Sequence, residues 1–218
     1  MKDNFSAHSS EYAKYRLVYP KEVVDYLISL PDHLESCWDC ATGNGQLAGS
    51  LSEHFDQVYA TDISEKQLAN AVSKSNIQYT QQPAESTQFS DDQFDMVTVA
   101  QAVHWFDFDR FFPEVKRVLK PNGILALLGY GLLHINKEID KIIHHFYFNI
   151  IGPYWDPERD YIDKRYTNIP FPLKEATVPE FELRKKLSFP QLVGYLRTWS
   201  ATQHFIRANG YDPVDEIE

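Results

Sequence analysis

A chain of 218 residues with 43% hydrophobic and 24% charged side chains is long enough for one domain with a substantial core. Its 31 acidic residues outnumber 21 basic ones, and the formal charge of -10 works against sequence-independent binding to a phosphate backbone. No apolar run reaches bilayer-spanning length, and Met1-Lys2-Asp3-Asn4-Phe5-Ser6 carries no signal-peptide core, so a cytoplasmic protein without nucleic-acid or membrane partners is expected.

Residues 10–20 hold Tyr12, Tyr15 and Tyr19 with Lys14 and Arg16, a composition too aromatic for a disordered tail. They read either as a core edge or as a lid whose hydroxyls and guanidinium reach a polar ligand. Pro20 then opens a helix in which Val23, Val24, Leu27, Ile28 and Leu30 follow a 3.6-residue period, and Pro31 stops it.

The stretch 37–48, Cys-Trp-Asp-Cys-Ala-Thr-Gly-Asn-Gly-Gln-Leu-Ala, organises the rest of the chain: a short strand, a tight turn at Gly43 and Gly45, and a helix. Glycines there permit a sharp turn or close approach of a ligand to bare backbone, and the N–H groups of the helix start can meet the ligand's polar end. Cys37 and Cys40 have C-x-x-C spacing, but residues three apart in a strand point to opposite faces and no second pair exists. They read as buried thiols, and no metal is expected.

Leu47, Leu51 and Phe55 form one helix face, and 58–61 reads as a buried strand ending at Asp62, completing a βαβ unit. Asp62 stands 17 positions after Gly45, near the offset at which an acid on the second strand tip accepts from ribose hydroxyls. Ser64 and Gln67 make a capping box for the next helix, which leaves Asp62 free for a ligand.

A third strand is expected at 76–81, a turn at Pro83-Ala84-Glu85, and a central fourth strand at 94–100 that runs into Gln101-Ala102-Val103-His104-Trp105-Phe106. Asp107 can cap a helix that Pro113 should kink or split; Pro121-Asn122-Gly123 reads as a turn, and 124–130 as a fifth strand. Five strands alternating with helices give an α/β fold: a doubly wound, mostly parallel sheet with helices on both faces and ligands outside the strand carboxyl ends.

The last third has a different texture. A helix is expected over 136–151, with His144 and His145 diverging on it and therefore structural. Residues 152–177 form a long aperiodic loop whose aromatics argue for order. The best remaining strand is 181–189, 192–205 is amphipathic, and the acidic tail 211–218 should fray.

Asp39-Cys40-Ala41-Thr42-Gly43-Asn44-Gly45, the strand-end Asp62, Ala84-Glu85, Gln101 to Phe106 and Val118-Leu119-Lys120-Pro121-Asn122-Gly123 together resemble the class I S-adenosylmethionine-dependent methyltransferases. The subgroup they look like is described as similar to trans-aconitate methyltransferases, with a looser match through Ser188-Phe189 and Tyr195-Leu196-Arg197-Thr198-Trp199-Ser200. The resemblance implies one Rossmann-like domain over 1–218, with an N-terminal lid and helix (1–31), a cofactor core (32–135) and an acceptor-side cap that completes the sheet (136–218).

The resemblance further implies that Asp39, Ala41, Gly43 and Gly45 line the methionine end of S-adenosylmethionine. Asp62 would take the ribose, Ile63 the adenine face, Ala84 and Glu85 the adenine edge, and Gln101 and Ala102 the sulfonium side. Ala41 stands where such proteins more often have glycine. They also usually finish the sheet with two strands, of which one candidate is visible after Tyr130; either the last antiparallel strand is missing from this chain, an edge another subunit could cover, or 171–178 supplies it.

Methyl transfer from a sulfonium is an in-line displacement in which the protein aligns the partners and excludes water, leaving S-adenosylhomocysteine. A small-molecule acceptor is expected, a carboxylate among the options, held by cations and hydroxyls: Arg16, Tyr12 and Tyr15, His104 and Trp105, and Trp155 or Arg159. His104 is the one candidate base for a hydroxyl acceptor, with a structural role as its alternative. Gly43-x-Gly45-x-x-Ala48 also fits an NAD-binding oxidoreductase, and a non-catalytic cofactor-binding module that pairs with another chain is the third reading; the protein itself is expected to be a monomer or homodimer.

Overall fold

The computed structural model describes residues 19–217. The candidates Tyr12, Tyr15 and Arg16 therefore lie outside the described residues.

Within them, α1 (Lys21–Ile28) leads into β1 (Ser36–Cys40), α2 (Gln46–Leu51), β2 (Gln57–Asp62), α3 (Glu65–Ala69) and β3 (Ile77–Gln81). The chain then crosses to β4 (Phe94–Ala100), α4 (Phe108–Val118) and β5 (Leu119–Leu128). The strands lie in the order β3-β2-β1-β4-β5, every neighbouring pair parallel. This is the doubly wound sheet expected from the alternation of elements. The order reverses direction between β1 and β4, where such sheets leave a crevice at their carboxyl ends.

Every residue of β4 is buried, as a strand covered on both faces requires. One face packs Trp38, Val97 and Val99 against Phe111, Phe112, Val115 and Val118 of α4. The other packs Cys37, Val58, Ala60 and Met96 against Val23 and Leu27 of α1 and Leu47 and Leu51 of α2. Cys37 and Cys40 fall on opposite faces, both fully buried and free. Burial and the nearby Asp39 carboxylate hold both thiols well above their ordinary range, so they are inert apolar fillers.

Several boundaries differ from the sequence expectation. Helix α4 runs unbroken through Pro113, whose ring lies on the exposed face, where a freed carbonyl can meet water, while Phe111, Phe112, Val115 and Val118 hold the buried side. Pro121-Asn122-Gly123 is not a turn between elements but an irregularity within β5, with a register shift opposite Phe94 and Met96 and Asn122 at φ 65.

The largest correction concerns 181–189, which carries no ladder and forms no strand. Only Lys185 interrupts the apolar face of Phe181, Leu183, Leu187 and Phe189, but Phe181 and Phe189 are exposed and Leu183 and Leu187 only half-buried, so that face is not seated on the sheet. Residues 171–178 are likewise outside any strand. Among the described residues strand β5 is consequently one edge of the sheet, with β3 the other, and Ile124 to Leu128 are only half-buried.

The C-terminal third builds its own core. Helix α5 (Lys137–His145), capped by Asn136, continues into a wider turn at Phe146–Ile150, so the helix expected over 136–151 is present but irregular at its end. A short turn (Gly152–Tyr154) and α6 (Arg159–Asp163) break up the long loop. The amphipathic stretch 192–205 is two helices, α7 (Phe189–Arg197) and α8 (Ser200–Asn209), hinged at Thr198 and Trp199.

Ile143, Phe146, Val193, Leu196, Ala201, Phe205 and Val214 meet in this second core. Val214 is fully buried, and Arg197 pairs with Asp212 at 2.5 Å and Asp215 at 2.6 Å. The tail is therefore docked rather than frayed. No helix among the described residues is long and apolar enough to cross a membrane.

Candidate active site

The carboxyl ends of the parallel strands bring the expected cofactor positions to one rim: Ala41 and Gly43 after β1, Asp62 and Ile63 at β2, Ala84 and Glu85 after β3, Gln101 and Ala102 after β4. The backbone here is unusual. Ala41 (φ 54) and Gln101 (φ 56) are both left-handed, a conformation that costs an L-residue about 1–2 kcal/mol, and they sit on the two strands flanking the crevice. This is the physical content of the glycine preference at position 41. Gln101 is held by its N–H to Leu128 O (2.8 Å) and its Nε2 to Tyr130 O (3.1 Å).

Asp39, 1% exposed, shapes the turn from within. One oxygen accepts from Thr98 Oγ1 on β4 (2.8 Å), the other from Thr42 Oγ1 and from Ala48 N (3.2 Å). The start of α2 is thus capped internally, and its Ala48 N–H is not available to a ligand. Gly45 (φ 77) is the N-cap of α2, and a Cβ there would lie 2.2 Å from the Tyr79 hydroxyl. Tyr79 folds over the glycine and donates to Val72 O (2.7 Å).

Asp62 is not free as the capping argument required. Its Oδ2 accepts from Gly43 N (2.9 Å) and its Oδ1 from Ser64 N (2.8 Å), while Ser64 Oγ accepts from Gln67 N (3.3 Å). The carboxylate therefore joins the β1 turn to the β2 tip. Asn44 Oδ1 is buried without a hydrogen-bond partner among the described residues, and Glu85 Oε1 accepts from Asp107 N at 3.3 Å. Asn44, Asp62 and Glu85 make the β1–β3 rim rich in acceptors, which suits a ligand bringing hydroxyl and ammonium donors. Ile63 is half-buried; Ala84 and Ala102 are buried in the core and define the floor.

The β4 side is different. His104 and Trp105 occupy a short turn (Val103–Trp105), their ring centroids 4.8 Å apart, and His104 is 6% exposed. Burial, reinforced by the Arg159 guanidinium and opposed by Glu158, pushes His104 down to about 4. The imidazole is neutral at ordinary pH. Helix α6 packs onto this turn, and Tyr166, just beyond it, brings its hydroxyl 3.3 Å from His104 Nδ1.

Arg159, at the start of α6, lies 4.7 Å from the centroid of the Trp155 ring and 5.3 Å from that of Tyr147. Its Nε donates to the Tyr147 hydroxyl (2.6 Å) and to Asp163 Oδ1 (3.3 Å). Nη1 and Nη2 have no hydrogen-bond partner among the described residues. His144 and His145, by contrast, are exposed on α5, and His144 meets the Phe148 ring edge-on at 5.8 Å.

The sequence offers Arg159 and Trp155 only as options and points to no role for Tyr166. Tyr166 lies 62 positions from His104 in an aperiodic stretch, so no spacing links them. Thr98 also escapes a sequence reading, because a threonine in a strand reads as a β-former before it reads as a donor, and Thr42 does so because it sits in a turn marked by its glycines.

Residues 38–127 match the family model for a methyltransferase domain. Over 99% of this chain and 84% of its own length, a Dictyostelium discoideum protein assigned to the methyltransferases by name is 34% identical. A solved structure from Anaeromyxobacter dehalogenans, assigned as a type II methyltransferase, superposes with a TM-score of 0.86 at 34% identity, covering 93% of this chain and 86% of that one. An S-adenosylmethionine-dependent methyltransferase structure from Methanococcus maripaludis, 19% identical with a TM-score of 0.52, shares the fold. These relatives set aside the oxidoreductase reading of the glycine turn. With the parallel sheet, the strained strand ends and the acceptor-rich rim, they establish that the chain belongs to the class I methyltransferases, whose cofactor is S-adenosylmethionine.

Proposed function

We propose that the protein methylates a small carboxylic acid, as an enzyme resembling the trans-aconitate methyltransferase-like subgroup would, and that its acceptor lies between the His104 turn and α6. The observation that carries this reading is Arg159, whose guanidinium is fixed through Nε and two aromatic faces while both terminal nitrogens are left for a ligand.

The rim residues fit the cofactor in complementary ways. Asp62 and Glu85 would take ribose and adenine-edge donors, Ile63 the adenine face, and Asn44 Oδ1 a donor at the β1 turn. Ala41, Gly43 and Gly45 shape the turn, with Asp39 holding it from beneath. Gln101 and Ala102 would border the reacting sulfonium. When bound, S-adenosylmethionine supplies an activated methyl group on sulfur.

The residues of this chain then align and desolvate the acceptor. Arg159 neutralises it, His104 and Trp105 limit where it can sit, and the buried floor excludes water. Tyr12, Tyr15 and Arg16 are proposed as further acceptor-binding groups. Turnover to S-adenosylhomocysteine over a panel of aliphatic mono- and dicarboxylates tests the proposal: methyl ester formation is expected, and cofactor binding with no turnover on any acid would favour a non-catalytic module instead.

A further inference from the structure

We infer that Tyr166 fixes His104 in the Nε2–H tautomer, so that His104 serves as a hydrogen-bond donor to an acceptor that arrives already ionised, and not as a general base. The inference rests on the methyl-transfer reading proposed for this chain and concerns the acceptor side of the same site.

Two arrangements are compatible with a hydroxyl 3.3 Å from Nδ1. Either the phenol donates to the Nδ1 lone pair, or Nδ1–H donates to the phenol oxygen. A phenol is a stronger acid than a neutral imidazole N–H, and an imidazole nitrogen a stronger base than a phenol oxygen, so the first pairing is favoured. The second would also leave the phenol proton needing another acceptor, and among the described residues the Tyr166 hydroxyl makes no other hydrogen bond. Burial raises Tyr166 above the ordinary tyrosine value, so it keeps a proton to donate.

The backbone is built to hold this ring. Arg165 (φ 53) and Tyr166 (φ 61) are consecutive left-handed residues at the end of α6, neither of them glycine. Opposite them, Gly129 follows the last residue of β5, and a Cβ there would lie 2.7 Å from Tyr166 Cε2. The ring is thus seated on the end of β5, with its hydroxyl over the β4 turn, and stacks 6.2 Å from the imidazole with planes at 26°.

The consequence for chemistry is direct. With Nδ1 accepting from Tyr166 and Nε2 protonated, His104 has no lone pair to receive a proton from a hydroxyl acceptor. A carboxylate needs no such transfer: an acceptor oxygen–methyl bond forms, the methyl–sulfur bond breaks with its electron pair going to sulfur, and no proton moves. His104 Nε2–H and the Arg159 Nη atoms then bind the ionised group. Tyr166 is a positioning residue in this scheme.

Two-bond proton–nitrogen correlation spectra of labelled protein at pH 7 read the tautomer, with the signal assigned by its loss in His104→Gln. Wild type is expected to show His104 as Nε2–H, and Tyr166→Phe to shift it toward a mixture with Nδ1–H. An Nδ1–H tautomer in wild type, or an unchanged Nε2–H population in Tyr166→Phe, would overturn the inference. Calorimetry with S-adenosylhomocysteine on both proteins separates the two levels. Affinity within twofold in Tyr166→Phe supports a role confined to the acceptor side, whereas failure of wild type to bind overturns the methyltransferase reading whatever the tautomer. In the turnover panel, methyl ethers from matched alcohols would count against an acceptor restricted to ions.

Discussion

The two flanks of the crevice are made of different material. On the β1–β3 side the groups that face it are backbone turns and carboxylates at the strand ends, with the buried Asp39 tied to β4, the turn and α2 at once. On the β4–β5 side they are His104 and Trp105 of the β4 turn together with aromatic and cationic side chains delivered by a cap with its own core, beside an edge strand that is only half-buried. The first is suited to a ligand that never changes, the cofactor. The second can be altered residue by residue without disturbing the sheet, as acceptor specificity demands.

Removing the most deeply rooted group should therefore have the largest effect. Asp39→Ala leaves Thr42, Ala48 and Thr98 donors without their acceptor in the core, and a loss of about 3 kcal/mol or more in urea unfolding is expected. A loss below about 1 kcal/mol would mean the β1 flank is less integral than the contrast requires.

On the other flank, His104 links stability to pH. Its folded value of about 4 lies below the unfolded value of 6.5, because of burial and Arg159, against the opposing Glu158; Tyr166 is its neutral neighbour. Between these values the unfolded chain binds more protons, so the contribution is complete above about 6.5 and is lost as pH falls toward 4. It amounts to about 3 kcal/mol at most. His104→Gln should flatten the difference in unfolding free energy between pH 7 and pH 4; an unchanged slope would remove His104 as its source.

The smallest effect is expected at Ala41. Glycine there relieves a left-handed alanine, and a gain of about 1 kcal/mol is expected in thermal or urea unfolding. A loss would show that the alanine methyl makes contacts worth more than the strain.

The same contrast explains what was legible in the sequence. Strands β1 to β4 and the turns after them were readable because apolar runs, glycines and a strand-tip acid are local signals, and the fold follows from their alternation. The role of Asp62 is not locally legible: Ser64 does cap Gln67 N, yet the Ser64 N–H goes to Asp62 Oδ1, and the same carboxylate secures Gly43, 19 positions away. The cap is poorly legible because its order comes from tertiary contacts. Arg159 stacks on Trp155 and Tyr147 across turns of irregular length, and 181–189 has strand-like alternation, broken at Lys185, yet joins no sheet.

The division of labour between the flanks can be tested in one calorimetric comparison of S-adenosylhomocysteine binding to wild type, Asp62→Asn and Arg159→Gln. Asp62→Asn should weaken binding about tenfold or more through loss of charge-assisted hydrogen bonds, and Arg159→Gln should leave it within twofold while raising the KM of the carboxylate acceptor. Equal weakening by both variants would contradict the account, because the cap would then belong to the cofactor site as much as the strand ends do.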